Sequence, residues 1–293
     1  MANIRGKTMD NTHLSIDQAE TRGFIHRDYI AHCLRWSHVA KFMGEKSRYK
    51  TADLLDIGCG RDLPLLRLLY SSKMIPDTGS YTGIDINKLE APFNLGRYPH
   101  ELVGQTDVCE WNDNGSTFAV ITCFEVLEHV EPEHSFRILQ RIASLLEDDG
   151  RAFFSTPCYD ASVGAAGNHV NEMSFDGLHA LIDAAGLEVV QVNGTFASIR
   201  DYQGQLEKDG HGPLFNRLRD YYDTNYLATI FAPLYPHLSR NAIWRVRKPQ
   251  GIVGNKHELG KTIPALADAA GASHSSSDKW TDFINQLLEK QHG

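Results

Sequence analysis

The sequence predicts an α/β fold: a doubly wound, seven-stranded, mostly parallel sheet whose last strand is antiparallel, with a helical N-terminal segment and a helical insertion before that strand. Two observations carry this expectation. Strand-like and helix-like segments alternate from about residue 53 to residue 197, a pattern that builds a parallel sheet with right-handed crossovers and helices on both faces. The first strand-like run also ends in a glycine turn, and an acidic residue stands at the end of the second. Ligands of such sheets bind at the C-terminal ends of the strands, where strand order reverses.

Taken in order, residues 24–44 space their apolar side chains as a helix does, with Gly44 as its stop. DLLDIGCG (53–60) is a buried strand entering a tight turn, and LPLLRLLYSS (63–72) a helix. YTGIDIN (81–87) is the second strand and 101–108 the third. TFAVITCF (117–124) is the fourth. An amphipathic helix over 132–150 is stopped by glycine, and RAFFSTP (151–157) is the fifth strand, closed by proline. The helix over 174–186 opens on a serine cap and ends on glycine. LEVVQVNGTFA (187–197) follows as a strand. AIWRVRKP (242–249) alternates apolar and polar residues as a partly exposed strand does. The organisation expected is an N-terminal helical segment (1–50, its first 20 residues flexible), a main domain (51–249) with 198–240 inserted as a lid, and a tail (250–293). The tail carries a polar linker, GASHSSSDK, and a short amphipathic helix, WTDFINQLLEK, read as a docking or oligomer element.

The 293 residues carry 42% hydrophobic and 23% charged residues, ordinary values for a globular protein. No apolar run is long enough for a membrane-spanning helix, and the polar N-terminus lacks the apolar stretch of a secretory signal. Five cysteines without a C-x-x-C pair fit neither a disulfide framework nor a zinc knuckle, so a cytoplasmic location is expected. The net charge of −8 weighs against a long nucleic acid, although arginines cluster between 217 and 247.

Asp56-Ile57-Gly58-Cys59-Gly60 lets a ligand approach the backbone closely. Asp85, about 25 residues on, can accept hydrogen bonds from ribose hydroxyls. This is a nucleoside-binding βαβ unit. A dinucleotide site needs a third glycine beneath the pyrophosphate, where this chain has Arg61-Asp62-Leu63. The aspartate there would repel phosphate and suits S-adenosylmethionine, which has no phosphate and carries a sulfonium and an ammonium.

These stretches resemble the class I S-adenosylmethionine-dependent methyltransferases. LLDIGCG is similar to their first motif and YTGIDIN to their second. FAVITCFEVLEHV (118–130) resembles the fourth strand and its turn, and LLEDDGRAFFSTP the following helix–glycine–strand step. The resemblance covers about 53–249. It implies a site for S-adenosylmethionine, and for its product S-adenosylhomocysteine, made by Asp56, Gly58, Cys59, Gly60, Asp85, Ile86, Asp107, Val108, Phe124 and Glu125. Asp85 would hold the ribose and Asp107 would face the adenine amino group.

Methyl transfer from a sulfonium is an in-line displacement. The enzyme orients the acceptor and, for an oxygen or nitrogen acceptor, removes a proton. His129 and His169 follow strands at the ligand edge and are the candidate bases, with Glu128 beside them. Glu125, Glu128, His129 and His169, with Glu172, also resemble the metal-ligand set of the small-RNA 3′-end 2′-O-methyltransferases. Two carboxylates and two imidazoles suit manganese or magnesium, although the reading taken is a site without metal. Tyr29 and Trp36 of the first helix are candidates to cover adenine or acceptor, and Arg217, Tyr222 and their aromatic neighbours to form the lid or, equally, a subunit interface. The expected activity is methylation at O or N of a small-molecule or nucleotide acceptor. The alternatives are a nucleic-acid methyltransferase, including metal-dependent 2′-O-methylation, and a non-catalytic cofactor-binding protein. A homo-oligomer is allowed for, and no membrane partner is expected.

Overall fold

In the computed structural model, residues 27–45, 52–71, 79–90, 100–250 and 277–292 are described. The expectations for residues 1–26 and for the start of the polar linker lie outside them. Helix α1 (Arg27–Glu45) leads into β1 (Leu54–Ile57), α2 (Pro64–Ser71), β2 (Tyr81–Ile84), β3 (His100–Val103) and β4 (Phe118–Phe124). A single 3-10 turn (Leu127–His129), α3 (Pro132–Leu145), β5 (Leu146–Pro157), α4 (Phe175–Ala184) and β6 (Glu188–Phe196) follow. The insertion contributes α5 (Ile199–Lys208), α6 (Gly212–Leu218), α7 (Thr224–Phe231) and two 3-10 turns. β7 (Asn241–Arg247) closes the sheet and α8 (Ser277–His292) ends the described chain.

The seven strands stand in the order β3-β2-β1-β4-β5-β7-β6. β7 runs antiparallel to both its neighbours, and the other strand pairs are parallel. This is the predicted sheet. The order reverses between β1 and β4, so the turns after those two strands share one crevice. β1 and β2 are buried at every residue and β4 at all but its last, as strands covered by helices on both faces must be. Along α3, Phe136, Leu139, Ile142 and Leu145 recur at helical spacing and face the sheet. In α4 the Ser174 hydroxyl accepts from the Gly177 N–H at 3.1 Å, the cap that the sequence predicts.

Two boundaries differ from expectation. α3 ends at Leu145 rather than at Gly150, because Leu146 is extended and pairs with Phe118 of β4. The third strand stops at Val103, so Asp107 and Val108 lie in the turn region that follows it. The insertion packs on itself: Tyr202, Leu206, Phe215, Leu227, Phe231 and Tyr235 form a separate apolar cluster. α8 docks on this same domain, with Trp280, Phe283 and Ile284 buried in the main core and Phe283 5.6 Å from Phe136 of α3. Among the described residues no helix is long and apolar enough to cross a membrane.

Candidate active site

The turns after β1, β2 and β4 open onto one cleft of about 790 Å³. Every predicted cofactor residue lines it: Asp56, Gly58, Cys59, Gly60, Asp85, Ile86, Asp107, Val108, Phe124 and Glu125. Glu128, His129 and His169 line it as well.

One half of the cleft is built from backbone and carboxylates. Gly58 and Gly60 have φ of +66° and +69°, a conformation that side chains oppose. A Cβ on Gly58 would also meet Val126 Cγ2 at 2.4 Å. Asp85 is held in place by the Gly60 N–H at 3.0 Å and by the Asn87 backbone N–H and side-chain amide at 2.8 and 2.9 Å. Asp56 accepts from the Tyr81 hydroxyl at 2.8 Å and the Thr122 hydroxyl at 2.6 Å. Burial nevertheless pushes its pKa up to about 6, against the pull of those two hydrogen bonds. Asp107 accepts from the Cys109 N–H at 2.8 Å and lies 2.9 Å from His134 Nε2. Three carboxylates around one cavity favour a cationic ligand and oppose a pyrophosphate.

The other half is built around β4's end, the loop after β5 and α1. Glu125 has φ +56°, a left-handed conformation that is strained for a side-chain-bearing residue. Its carboxylate is gripped from three elements: by Ser155 at 2.8 Å, by Asn241 at 3.1 Å and by Arg35 at 3.4 Å. Burial alone would raise its pKa. Arg35 and His32, with the hydrogen bonds from Asn241 and Ser155, outweigh burial and hold it below the usual carboxylate range. Glu128 is the opposite case. It is 1% exposed, and its nearest donors, its own backbone N–H and the Thr156 hydroxyl, fall short of good hydrogen-bond geometry with either carboxylate oxygen. Burial, then the Glu125 charge, push its pKa well up. The two neighbouring carboxyls are thus pushed in opposite directions.

His129 and His169 meet edge to face with centroids 4.9 Å apart. His129 Nδ1 lies 3.2 Å from the Asn168 carbonyl and His169 Nδ1 2.5 Å from Glu172 Oε1. Donation from Nδ1 to each oxygen would leave Nε2 of each ring as the lone-pair nitrogen when the ring is neutral. Ligand atoms of Glu128, His129 and His169 all lie within 4.8 Å of one another. The cluster combines a buried carboxyl lacking a well-placed donor with two oriented imidazoles, a donor set that fits a divalent cation.

Two side-chain partnerships in the site, those of Arg35 and Arg240, are not visible in the sequence, whereas Trp36 is a candidate there. Arg35 of α1, 3% exposed, enters the site as the Glu125 partner. Arg240 lines the cleft and is held by Asp201 of α5 through two 2.9 Å bonds. Trp36 is half-buried, lines the cleft and stacks with His32 at 5.8 Å. The side chain of Tyr29 is outside the described set. Arg217, Tyr221 and Tyr222 are exposed and do not line the cleft. Tyr226, Phe231 and Tyr235 pack in or against the insertion's own core. Of the insertion, 198–240, Arg240 alone among the described residues lines the cavity, beside Phe196 and Asn241 of the flanking strands.

A methyltransferase-domain family model matches residues 27–192, more than half of the chain. Among curated proteins, the ubiquinone biosynthesis O-methyltransferase of Actinobacillus pleuropneumoniae serotype 7 is 34% identical over 114 residues, covering 35% of this chain and 44% of that protein. The protein of the same name from Vibrio cholerae serotype O1 is 31% identical over 111 residues, covering 35% and 41%. The chain thus matches less than half the length of these relatives. Among solved structures, the small RNA methyltransferase HEN1 superposes with a TM-score of 0.50 at 17% identity, covering 76% of this chain and 26% of that one.

Proposed function

The chain belongs to the methyltransferase-domain family, and from this premise we propose that it is an S-adenosylmethionine-dependent methyltransferase acting on a hydroxyl of a small-molecule acceptor. One observation carries the reading. The carboxylate-lined half of the cleft, suited to the cationic donor, is continuous with the pair of histidines whose Nδ1 atoms are held from behind. The partial similarity to ubiquinone biosynthesis O-methyltransferases supports oxygen as the acceptor atom and a small molecule as its carrier.

In this reading Asp85 receives the ribose hydroxyls, Asp107 the adenine amino group, and the Gly58–Gly60 turn the methionine portion. An acceptor hydroxyl would meet the imidazole half of the cleft, where Nε2 of His129 or His169 would take its proton; S-adenosylmethionine, when bound, would supply the methyl group to that oxygen and leave as the neutral thioether S-adenosylhomocysteine. Most of the acceleration comes from alignment, and the base adds about 10²–10⁴-fold. The test is incubation with radiolabelled S-adenosylmethionine and a panel of phenols, catechols and a short RNA bearing free ribose hydroxyls. Labelled small-molecule methyl ethers are expected. Label confined to the RNA would overturn the reading.

A second reading has its own observation, the buried Glu128 carboxyl without a well-placed donor next to two oriented imidazoles. Glu128, His129 and His169 would then hold a divalent cation, which would supply a lowered pKa to a bound hydroxyl. A chelator separates the two. Turnover that survives EDTA supports the histidine-base reading, and turnover lost to EDTA and restored by manganese or magnesium supports the cation.

A further inference from the structure

We propose that Trp280 and Asn171 form a positioning relay that lets the C-terminal helix set the geometry of the two active-site histidines; this rests on the reading above that those histidines face the acceptor. Trp280 of α8 is 1% exposed, and its indole N–H donates to Asn171 Oδ1 at 2.8 Å. The Asn171 amide donates in turn to Ser135 Oγ at 3.0 Å, and the Ser135 hydroxyl donates to the Leu127 carbonyl at 3.1 Å. Asn171 and Ser135 are fully buried. The chain therefore starts at the C-terminal helix, passes through α3 and ends on the 3-10 turn that carries Glu128 and His129.

Both histidine-bearing segments converge on this chain. The Val170 and Asn171 N–H groups donate to the Glu128 carbonyl at 2.9 and 3.1 Å. Asn171 lies between His169 and Glu172, and Glu172 anchors both the His169 ring and the Ala166 N–H. Fixing the Asn171 side chain thus fixes the loop of His169 against the turn of His129. Apolar residues would fill the same space without direction. A buried amide must instead satisfy its donors and acceptor in defined geometry, and a buried indole N–H needs its own acceptor. The apolar seat of α8, Phe283 and Ile284 against Phe136, holds the indole where the relay needs it. The Lys279–Glu131 pair at the surface, 2.7 Å long and half-exposed on both sides, adds little.

The variant Trp280→Phe keeps an aromatic ring and removes the donor; Ser135→Ala cuts the relay at its other end with less disturbance of packing. The full chain is labelled with ¹³C in its histidine rings, and the His129 and His169 signals are identified from His129→Ala and His169→Ala. In both relay variants those two signals should shift or broaden, while the His38 and His211 signals stay in place. S-adenosylmethionine affinity by calorimetry should stay within about twofold, because the relay touches no residue of the donor half. Unmoved His129 and His169 signals with a lowered melting temperature would overturn the proposal and leave Trp280 as core packing. Equal disturbance of all four histidines would overturn it too. The ring signals report position whether or not either ring acts as a base, so a failure of the base reading, seen as full turnover in His129→Ala and His169→Ala, is read separately.

Discussion

In the proposed reading Asp85 serves turn and ligand with a single side chain. Its carboxylate pins the glycine turn through the Gly60 N–H and its own loop through Asn87, so it is pre-oriented before any ribose arrives. Pre-orientation removes the cost of ordering the side chain on binding. Asp85→Ala should weaken S-adenosylmethionine by about 1–3 kcal/mol, the range for losing a charged acceptor to buried hydroxyls, and calorimetry on the folded variant measures it. Unchanged affinity would remove Asp85 as the ribose ligand, and tight NADH binding would contradict the donor assignment from the other side. Gly58 offers a steric companion test. Gly58→Ala combines a φ of +66° with a Cβ 2.4 Å from Val126, so it should lose most donor binding in a thermal-shift titration. Val126 follows the strained Glu125, so the methionine turn and the acceptor wall are packed against each other at this point.

The insertion is the element where sequence and structure part. Its aromatic residues suggest a lid, yet in the structure they build a core of their own, with Tyr202 stacked on Tyr235 at 4.8 Å and Phe215 against Phe231 at 5.4 Å. Composition reports that aromatics will be buried. It cannot say against what, because a short helical insertion can cover a neighbour or cover itself. The same limit explains Arg35, Arg240 and Trp280, whose partners stand 90, 39 and 109 positions away. The residues legible in the sequence, from Asp56 to Glu125, belong to βα turns whose spacing is dictated by one strand, one turn and one helix. The insertion's route to the cleft is the Asp201–Arg240 pair. Tyr222→Ala should therefore leave the acceptor Michaelis constant and turnover within about twofold, as exposed substitutions usually do. Asp201→Asn, which weakens the grip on Arg240 at the cleft wall, should raise the acceptor Michaelis constant without changing donor affinity. The reverse pattern in steady-state kinetics would restore the lid.

At the scale of the whole molecule, the buried Asp56 carboxylate in the proposed donor site would link stability, pH and cofactor. Asp56 is raised from 3.8 to about 6 by burial, so the folded chain holds a proton there that the unfolded chain releases near pH 4. The sign follows from linkage: the contribution of this group is fully present below about pH 4 and is lost as the pH rises through about 6. A shift of about two units corresponds to about 3 kcal/mol across that window. S-adenosylmethionine would bring a sulfonium, an ammonium and one carboxylate, a net positive charge, to the same cleft and favour the ionised Asp56, so binding would offset the loss. Ligand present at about 100 times its dissociation constant stabilises by about 2.7 kcal/mol at any one pH. The dissociation constant should itself fall as Asp56 ionises. At a fixed concentration of S-adenosylmethionine, the rise in melting temperature should therefore be larger at about pH 7.5 than at about pH 5. Asp56→Asn carries no charge and keeps an acceptor for one of the Tyr81 and Thr122 hydroxyls, which donate to different oxygens of Asp56. In that variant the unliganded protein should lose less stability between those pH values, and the ligand-induced rise should become nearly independent of pH. Differential scanning fluorimetry across the range, with and without ligand, makes the comparison. The same slope in wild type and variant would show that another group sets the pH dependence, and that the Asp56 charge is not what the sulfonium donor meets.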